Sequence, residues 1–203
     1  MAPERPEFGL PAKTAVLASG GGRTFQNLVE LARSGELPIE VELLIVDRHE
    51  AGALDRAETL GIDALYEPWS RERGSADWSR AVFESLEARG IELVLLGGFL
   101  RLLHVPSTFS GRVLNIHPSL LPAFGGKGFY GDHVHRAVLE RGVQFTGCTV
   151  HLVDARYDEG PILVQRTVPV ERTDDVATLA ARVFDAECVA YPEAIRQWIA
   201  PGD

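Results

Sequence analysis

Long apolar runs alternate with amphipathic stretches through the first two thirds of the chain. Residues 14–19 and 41–46 have little polar interruption, which is typical of strands buried on both faces of a parallel sheet. Between these two runs, apolar residues recur at helical spacing until Gly35. The same patterns predict further strands over 64–66, 91–96 and 113–117, and helices over 51–60, 76–89 and 99–103. This alternation predicts an α/β fold with a doubly wound, mainly parallel, Rossmann-like sheet.

The last third of the chain has a different pattern. Its predicted elements are a helix, two β-rich runs and a long closing helix, at 132–140, 143–153, 162–170 and 174–198. The two β-rich runs are joined by a turn that ends in Gly160-Pro161, so they predict an antiparallel hairpin added to the sheet. Thr173 or Asp174 is the predicted N-cap of the closing helix.

Composition and charge narrow the possible partners. The 203 residues carry a net charge of −9, and an acidic surface argues against nucleic-acid binding. No apolar run approaches the roughly 18 residues of a membrane span, so we expect a cytoplasmic protein with small-molecule substrates and no membrane partner. Residues 1–13 contain three prolines and predict a flexible tail before a single domain over 14–203. Cys148 and Cys188 lack metal-ligand spacing and are expected to be buried.

The strand predicted over 113–117 ends on Asn115, Ile116 and His117, and Pro118 follows it. Side chains alternate along a strand, so the Asn115 amide and the His117 imidazole share one face. Pro118 ends the hydrogen-bond ladder just past the histidine. An amide and a protonated ring on one face suit a carbonyl oxygen that becomes negative during a reaction. The alternative for His117 is a structural role in the core.

A glycine-rich loop, residues 19–24, separates the first predicted strand from the first helix. Backbone N–H groups at a helix N-terminus favour a phosphate, so this loop is a candidate phosphate site. It lacks the glycine spacing of the dinucleotide fingerprint and the Lys-Ser/Thr pair of a P-loop. The alternative is a tight turn that needs glycine only for its backbone angles.

Asp158 lies in the turn of the predicted hairpin, which we expect to fold over the site. An anion there would raise the pKa of His117 and help keep the ring cationic near neutral pH, although aspartate also occurs in turns for its local backbone bonding. The four glycines and two aromatic residues of 125–131 predict a mobile lid, with a plain surface loop as the alternative. His133 and His135 have no third ligand in view, so no metal site is expected.

Four motifs follow one another along the chain. They are the glycine loop, Asn115-Ile116-His117-Pro118-Ser119-Leu120-Leu121-Pro122, Thr149-Val150-His151 and Tyr157-Asp158-Glu159-Gly160-Pro161. In their order and spacing the chain resembles the glycinamide ribonucleotide formyltransferases, folate-dependent enzymes of purine biosynthesis, from about Thr14 to Trp198. The resemblance implies formyl transfer from 10-formyltetrahydrofolate, a co-substrate, to the amine of glycinamide ribonucleotide, with no metal ion. We expect a monomer or a weak homodimer.

The resemblance also implies a role for each candidate residue. The catalytic residues would be Asn115, His117 and Asp158. The residues that bind the ribonucleotide would be Gly21, Gly22, Arg23 and Thr24 at its phosphate and Glu187 at its amino end. The residues that bind the folate would be Leu100, Arg101, Leu102, Leu103 and Asn115.

Two positions depart from the family's pattern. Arg23 and Thr24 stand where many relatives have Ser-Asn, and Phe184 stands where some relatives have a lysine near the phosphate. Arg23 and Lys127 are the candidates to supply that missing charge. Several formyltransferases share the motif around His117, so two alternatives stay open. One is a different amine acceptor, such as a sugar nucleotide, and the other is a catalytically silent nucleotide-binding module.

Overall fold

A computed structural model describes residues 5–200, and its seven strands form one sheet. The strands are β1 (Ala12–Ala18), β2 (Ile39–Val46), β3 (Asp63–Tyr66), β4 (Leu93–Leu96), β5 (Val113–His117), β6 (Phe145–Leu152) and β7 (Ile162–Pro169). The helices are α1 (Arg23–Arg33), α2 (Ala53–Leu60), α3 (Gly74–Ala88), α4 (Asp132–Arg141) and α5 (Val176–Ile199), with a short 3₁₀ helix at Ser107–Phe109.

The sheet has the strand order β3-β2-β1-β4-β5-β6-β7. The first five strands pair in parallel, whereas β6 pairs antiparallel with both β5 and β7. The chain order reverses between β1 and β4, which is where doubly wound sheets open a crevice at the carboxyl ends of their strands. The predicted fold class is confirmed, including the antiparallel hairpin and the closing helix.

The central strands are buried on both faces, so two apolar cores flank the sheet. Along β1, Val16 packs into a core shared with α1, α2 and α5, whereas Ala15 and Leu17 pack into a second core with α3. Tyr191 of α5 is buried, and its hydroxyl donates to the carbonyl oxygen of Leu114 at 2.9 Å. This bond fixes α5 across β5, the strand that carries two of the candidate catalytic residues.

The N-terminal segment differs from the expected flexible tail over 1–13. The first strand begins at Ala12, and Arg5 donates from Nε to the carbonyl oxygen of Trp198 at 2.6 Å. The backbone N–H of Gly9 donates to Glu92 at 2.9 Å. Residues 5–13 are therefore bonded to the fold, while residues 1–4 of the expected tail lie outside the described range.

The helix predicted over 99–103 is wrong, because this segment is an irregular loop. An amide within the segment and one just after it bond to serine side chains from elsewhere in the fold. The N–H of Leu100 donates to Ser19 Oγ at 3.1 Å, and the N–H of His104 donates to Ser79 Oγ at 3.0 Å. The apolar spacing of the segment thus reflects burial against the sheet and not a helical repeat.

Two smaller expectations are also corrected. The N-cap of α5 is Asp175, whose side chain accepts from the N–H of Thr178 at 2.8 Å in a capping box. Asp174 instead accepts from Arg182 at 2.8 Å. Cys148 is buried as expected, but Cys188 is only half-buried. Within residues 5–200, none of the helices is both long and apolar enough to cross a membrane.

Candidate active site

A cavity of about 480 Å³ opens at the carboxyl ends of β4 and β5, beside the point where the chain order reverses. β5 supplies Asn115 and His117 to its wall, and the turn after β6 supplies Asp158. α5 supplies Glu187, and α1 supplies Arg23. The structure therefore brings the three candidate catalytic residues together in one cavity with residues of the candidate phosphate loop.

Asp158 lies between the amide and the imidazole of β5. Its Oδ2 is 3.5 Å from His117 Nδ1, and its Oδ1 accepts from Asn115 Nδ2 at a long 3.4 Å. The backbone of Asp158 is left-handed, with φ 56°, a conformation that aspartate adopts more readily than most residues. The expected arrangement, in which the amide and the ring share one face and the acidic turn covers them, is what the structure contains.

His151 is a fourth member of this cluster to which the sequence reasoning gave no role. The antiparallel register places His151 of β6 opposite Asn115 of β5. Nδ1 of His151 donates to the carbonyl oxygen of Leu152 at 2.8 Å, so its Nε2 is free to accept from Asn115 Nδ2 at 3.0 Å. His151 therefore orients the Asn115 amide. The motif Thr149-Val150-His151 was the sequence signal for this residue. A role for His151 could be predicted from it only if β6 was known to pair with β5.

The tautomer of His117 follows from its second ring nitrogen. Nε2 lies 2.8 Å from the carbonyl oxygen of Phe124, which only accepts, so Nε2 carries the hydrogen. Burial lowers the pKa of His117, and the opposing charge of Asp158 does not fully offset it. The expectation that the carboxylate keeps this ring cationic near neutral pH is therefore wrong. Nδ1 faces Asp158 without a proton.

The carboxyl of Asp158 is held in its ionised form. Burial acts to raise its pKa, but the nearby rings of His151 and His117 and the N–H of Gly126 together lower the pKa below its usual range. The bond from the Gly126 N–H to Asp158 Oδ2 is 2.8 Å long. An ionised Asp158 beside a neutral His117 ring can accept a proton during a reaction or hold a water molecule by hydrogen bonding.

Glu187, which also lines the cavity, has a raised pKa, in contrast to Asp158. Burial raises the pKa of its carboxyl to about 7, and the charge of Arg23 only partly counters this effect. The Arg23 guanidinium lies 3.7 Å from the centre of the Phe184 ring, one helical turn from Glu187 on α5. The site thus combines a fixed cation with a carboxyl group that titrates near neutral pH.

The predicted phosphate loop meets the cavity only through its last two residues. Arg23 and Thr24 line the cavity, whereas Gly21 lines a separate outer cavity behind the loop. Gly22 is buried and caps α1 with φ 74°, without a side-chain cap on the helix. The N-terminal N–H groups of α1 are therefore left without a side-chain acceptor, as an anion site requires.

The predicted folate segment is divided between two cavities. Leu100 lines the main cavity, and its neighbours line an adjoining slot of about 50 Å³ together with Asn115. These neighbours are Arg101, Leu102 and Leu103. The Arg101 side chain donates from Nε to Asp47 Oδ2 at 2.6 Å. Its guanidinium is thereby bound to the end of β2, so the segment presents mainly its backbone and leucine side chains to a ligand.

The glycine-rich segment 125–131 forms the outer wall of the main cavity, to which it contributes Lys127, Phe129 and Tyr130. Phe129 and Tyr130 are 36% and 45% exposed, so both aromatic rings are available to a ligand. The neighbouring His135 also lines the cavity and is buried. In the described part of the chain, no group of three or more side chains is arranged to hold a metal ion.

The chain belongs to the formyl transferase family, whose sequence profile matches residues 12–195. It is 40% identical over 185 residues to a chloroplastic phosphoribosylglycinamide formyltransferase of Vigna unguiculata, covering 90% of this chain and 59% of the relative's length. It is 35% identical over 188 residues to the phosphoribosylglycinamide formyltransferase of Bacillus subtilis, covering 91% of this chain and 93% of the relative.

Two solved structures agree with this assignment. Glycinamide ribonucleotide transformylase 1 of Symbiobacterium toebii superposes with a TM-score of 0.84 at 42% identity, covering 91% of this chain and 86% of that one. The phosphoribosylglycinamide formyltransferase of Brucella melitensis superposes with a TM-score of 0.83 at 36% identity, covering 95% of this chain and 97% of that one. The resemblance inferred from the motifs is thus confirmed at the level of the family.

Proposed function

We propose that this chain transfers a formyl group from 10-formyltetrahydrofolate to the amine of glycinamide ribonucleotide, a step of purine biosynthesis. The observation that carries the proposal is the cluster of Asn115, His117 and Asp158 in the same cavity as Arg23 and Glu187. The names of the relatives favour this acceptor over a sugar nucleotide. The enzyme would need no metal ion and would act in the cytoplasm as a monomer or weak homodimer.

The ribonucleotide binds through its phosphate at the loop formed by Gly21, Gly22, Arg23 and Thr24. The N-terminus of α1 offers backbone donors there, and the Arg23 guanidinium adds a full positive charge. Arg23 is favoured over Lys127 as the main cation because Phe184 stacks against it and holds it at the cavity wall. Glu187 is positioned to bind the amino end of the same substrate.

The folate binds along Leu100, Arg101, Leu102 and Leu103, from the main cavity into the adjoining slot. This slot also touches Asn115 and Asp158, so a formyl group carried at the inner end of the folate would reach the catalytic cluster. The Arg101–Asp47 bond keeps the slot's backbone in place. The two substrates then approach the cluster from opposite ends of the cavity, which is the alignment that direct transfer requires.

The amine attacks the formyl carbon, and the formyl oxygen becomes an oxyanion between Asn115 Nδ2 and His117 Nδ1. Asn115 can donate because its second N–H makes only the 3.4 Å contact with Asp158. The oxyanion adds a second negative charge beside His117, which raises the pKa of the ring, so Nδ1 takes up a proton from solvent as the oxyanion forms and returns it when the carbonyl re-forms. A water held by Asp158 then carries a proton from the new ammonium to the leaving nitrogen of the folate.

Turnover with defined acceptors tests the proposal. The protein is mixed with 10-formyltetrahydrofolate and glycinamide ribonucleotide, and the release of tetrahydrofolate is followed by absorbance. We expect saturable turnover with this acceptor and none with a sugar-nucleotide amine. Turnover with the sugar nucleotide alone would assign a different acceptor, and no turnover with either would support the catalytically silent module.

A further inference from the structure

The phosphate loop rests on α2 through each of its three glycines. The carbonyl oxygen of Gly20 accepts from the N–H of Ala53 at 3.1 Å, and that of Gly21 accepts from Arg56 Nε at 2.7 Å. A Cβ on Gly22 would lie 2.7 Å from the Cβ of Ala53. The first turn of α2 is thus in direct contact with all three glycines of the loop.

Arg56 makes a second bond that spans the start of α1. Its Nη1 donates to Oε1 of Gln26, which lies in the first turn of α1, while its Nε holds the carbonyl oxygen of Gly21 just before that helix. One half-buried guanidinium therefore ties the loop to the helix that follows it. Because the guanidinium fork is planar and rigid, both acceptors are held in a fixed relative position.

These bonds also orient the donors of the loop. In a trans peptide the C=O and the next N–H point in opposite directions. When the carbonyls of Gly20 and Gly21 point to α2, the N–H groups of Gly21 and Gly22 point away from α2. Arg56 itself lines the outer cavity behind the loop and not the main cavity, so it is separated from the substrate by the loop.

We propose that Arg56 is a positioning residue that sets the backbone N–H groups of the phosphate loop for the ribonucleotide. This inference rests on the proposed function and extends it to a residue outside the cavity. Without Arg56, the loop must be ordered when the phosphate binds, and that cost appears as weaker binding. We expect Arg56→Met to raise the KM for glycinamide ribonucleotide roughly tenfold, with kcat at saturation and the folate KM nearly unchanged.

Arg33 provides a matched control. Its Nη2 donates to the carbonyl oxygen of Leu60, so it joins the same two helices at their opposite ends, away from the loop. Arg33→Met removes one arginine-to-backbone bond and one charge from the α1–α2 pair, whereas Arg56→Met removes one arginine-to-backbone bond to the loop, one charge and the bond to Gln26. Arg56→Lys keeps the charge but loses the fork, so it separates positioning from simple electrostatic attraction.

The three variants and the wild type are compared in steady-state kinetics with glycinamide ribonucleotide, and in thermal unfolding with and without inorganic phosphate. We expect Arg56→Met and Arg56→Lys to raise the ribonucleotide KM and to reduce the stabilisation by phosphate, while Arg33→Met changes neither. The inference is overturned if Arg33→Met has the same effect, if Arg56→Lys behaves as the wild type, or if phosphate stabilises no form of the protein. Failure of the wild type to use the ribonucleotide would refute the proposed function, and the phosphate measurement would still decide the role of Arg56.

Discussion

Replacing Glu187 by glutamine should remove a pH dependence from the stability of this protein. In the folded chain burial raises the pKa of Glu187 from an ordinary 4.5 to about 7. Between these values the folded state keeps a proton that the unfolded state has lost. Stability from this group is therefore fully present below about pH 4.5 and is lost as the pH rises through about 7.

The size of the effect follows from the shift. A change in pKa from 4.5 to about 7 corresponds to a free energy on the order of 3 kcal/mol. Glutamine has nearly the same shape and no charge, so Glu187→Gln should match the wild type near pH 4.5 and exceed its unfolding free energy at pH 8. The pKa of about 7 already includes the effect of the Arg23 guanidinium, which stabilises the ionised carboxylate in the wild type.

Urea unfolding followed by tryptophan fluorescence measures this difference from pH 4.5 to 8. Glu193→Gln is the control, because Glu193 lies on the same helix and pairs with Arg166 at the surface, outside the main cavity. We expect the difference between Glu187→Gln and the wild type to grow with pH, and the difference for Glu193→Gln to stay small. A constant difference across this range for Glu187→Gln would refute the reasoning.

Three further predictions concern catalysis and binding. Asn115→Ala should lower kcat a hundredfold or more while the unfolding free energy falls by about 1 kcal/mol, because one oxyanion donor and one hydrogen bond are lost; a loss of kcat below about fivefold would remove Asn115 from the mechanism. Arg23→Ala should raise the KM for the ribonucleotide and leave the folate KM nearly unchanged, and an unchanged ribonucleotide KM would contradict its role. His151→Phe should raise the pKa of Asp158 and move the acid limb of the pH–rate profile to higher pH, and an unmoved limb would show that His151 does not stabilise the ionised carboxylate.

Much of the fold could be predicted because the strands are short apolar runs with helices between them. The strand predicted over 113–117 is observed with the same bounds, and side-chain alternation along it correctly placed Asn115 and His117 on one face. The segment 99–103 was predicted as a helix because its apolar spacing fits one. The side chains of Ser19 and Ser79 capture the amide groups of this loop, and their approach is visible only in three dimensions.

The electrostatics of the site were the least predictable part. The sequence shows that His117 has an acidic neighbour, but it does not show how deeply the ring is buried, and burial decides the direction of the pKa shift. His151 was missed for a related reason. Its contact with Asn115 depends on which strand pairs with β5, and the sheet order that sets this pairing is a property of the whole chain.

The bond from His117 to the carbonyl of Phe124 and the bond from the N–H of Gly126 to Asp158 link the reactive groups to the backbone around the start of segment 125–131. If this backbone swings outward to admit a substrate, the ring and the carboxylate lose their supports at the same moment. The catalytic groups are then no longer held in place while the cleft is open. Under the proposed function, a formyl donor that binds while the cleft is open would be protected from hydrolysis by solvent.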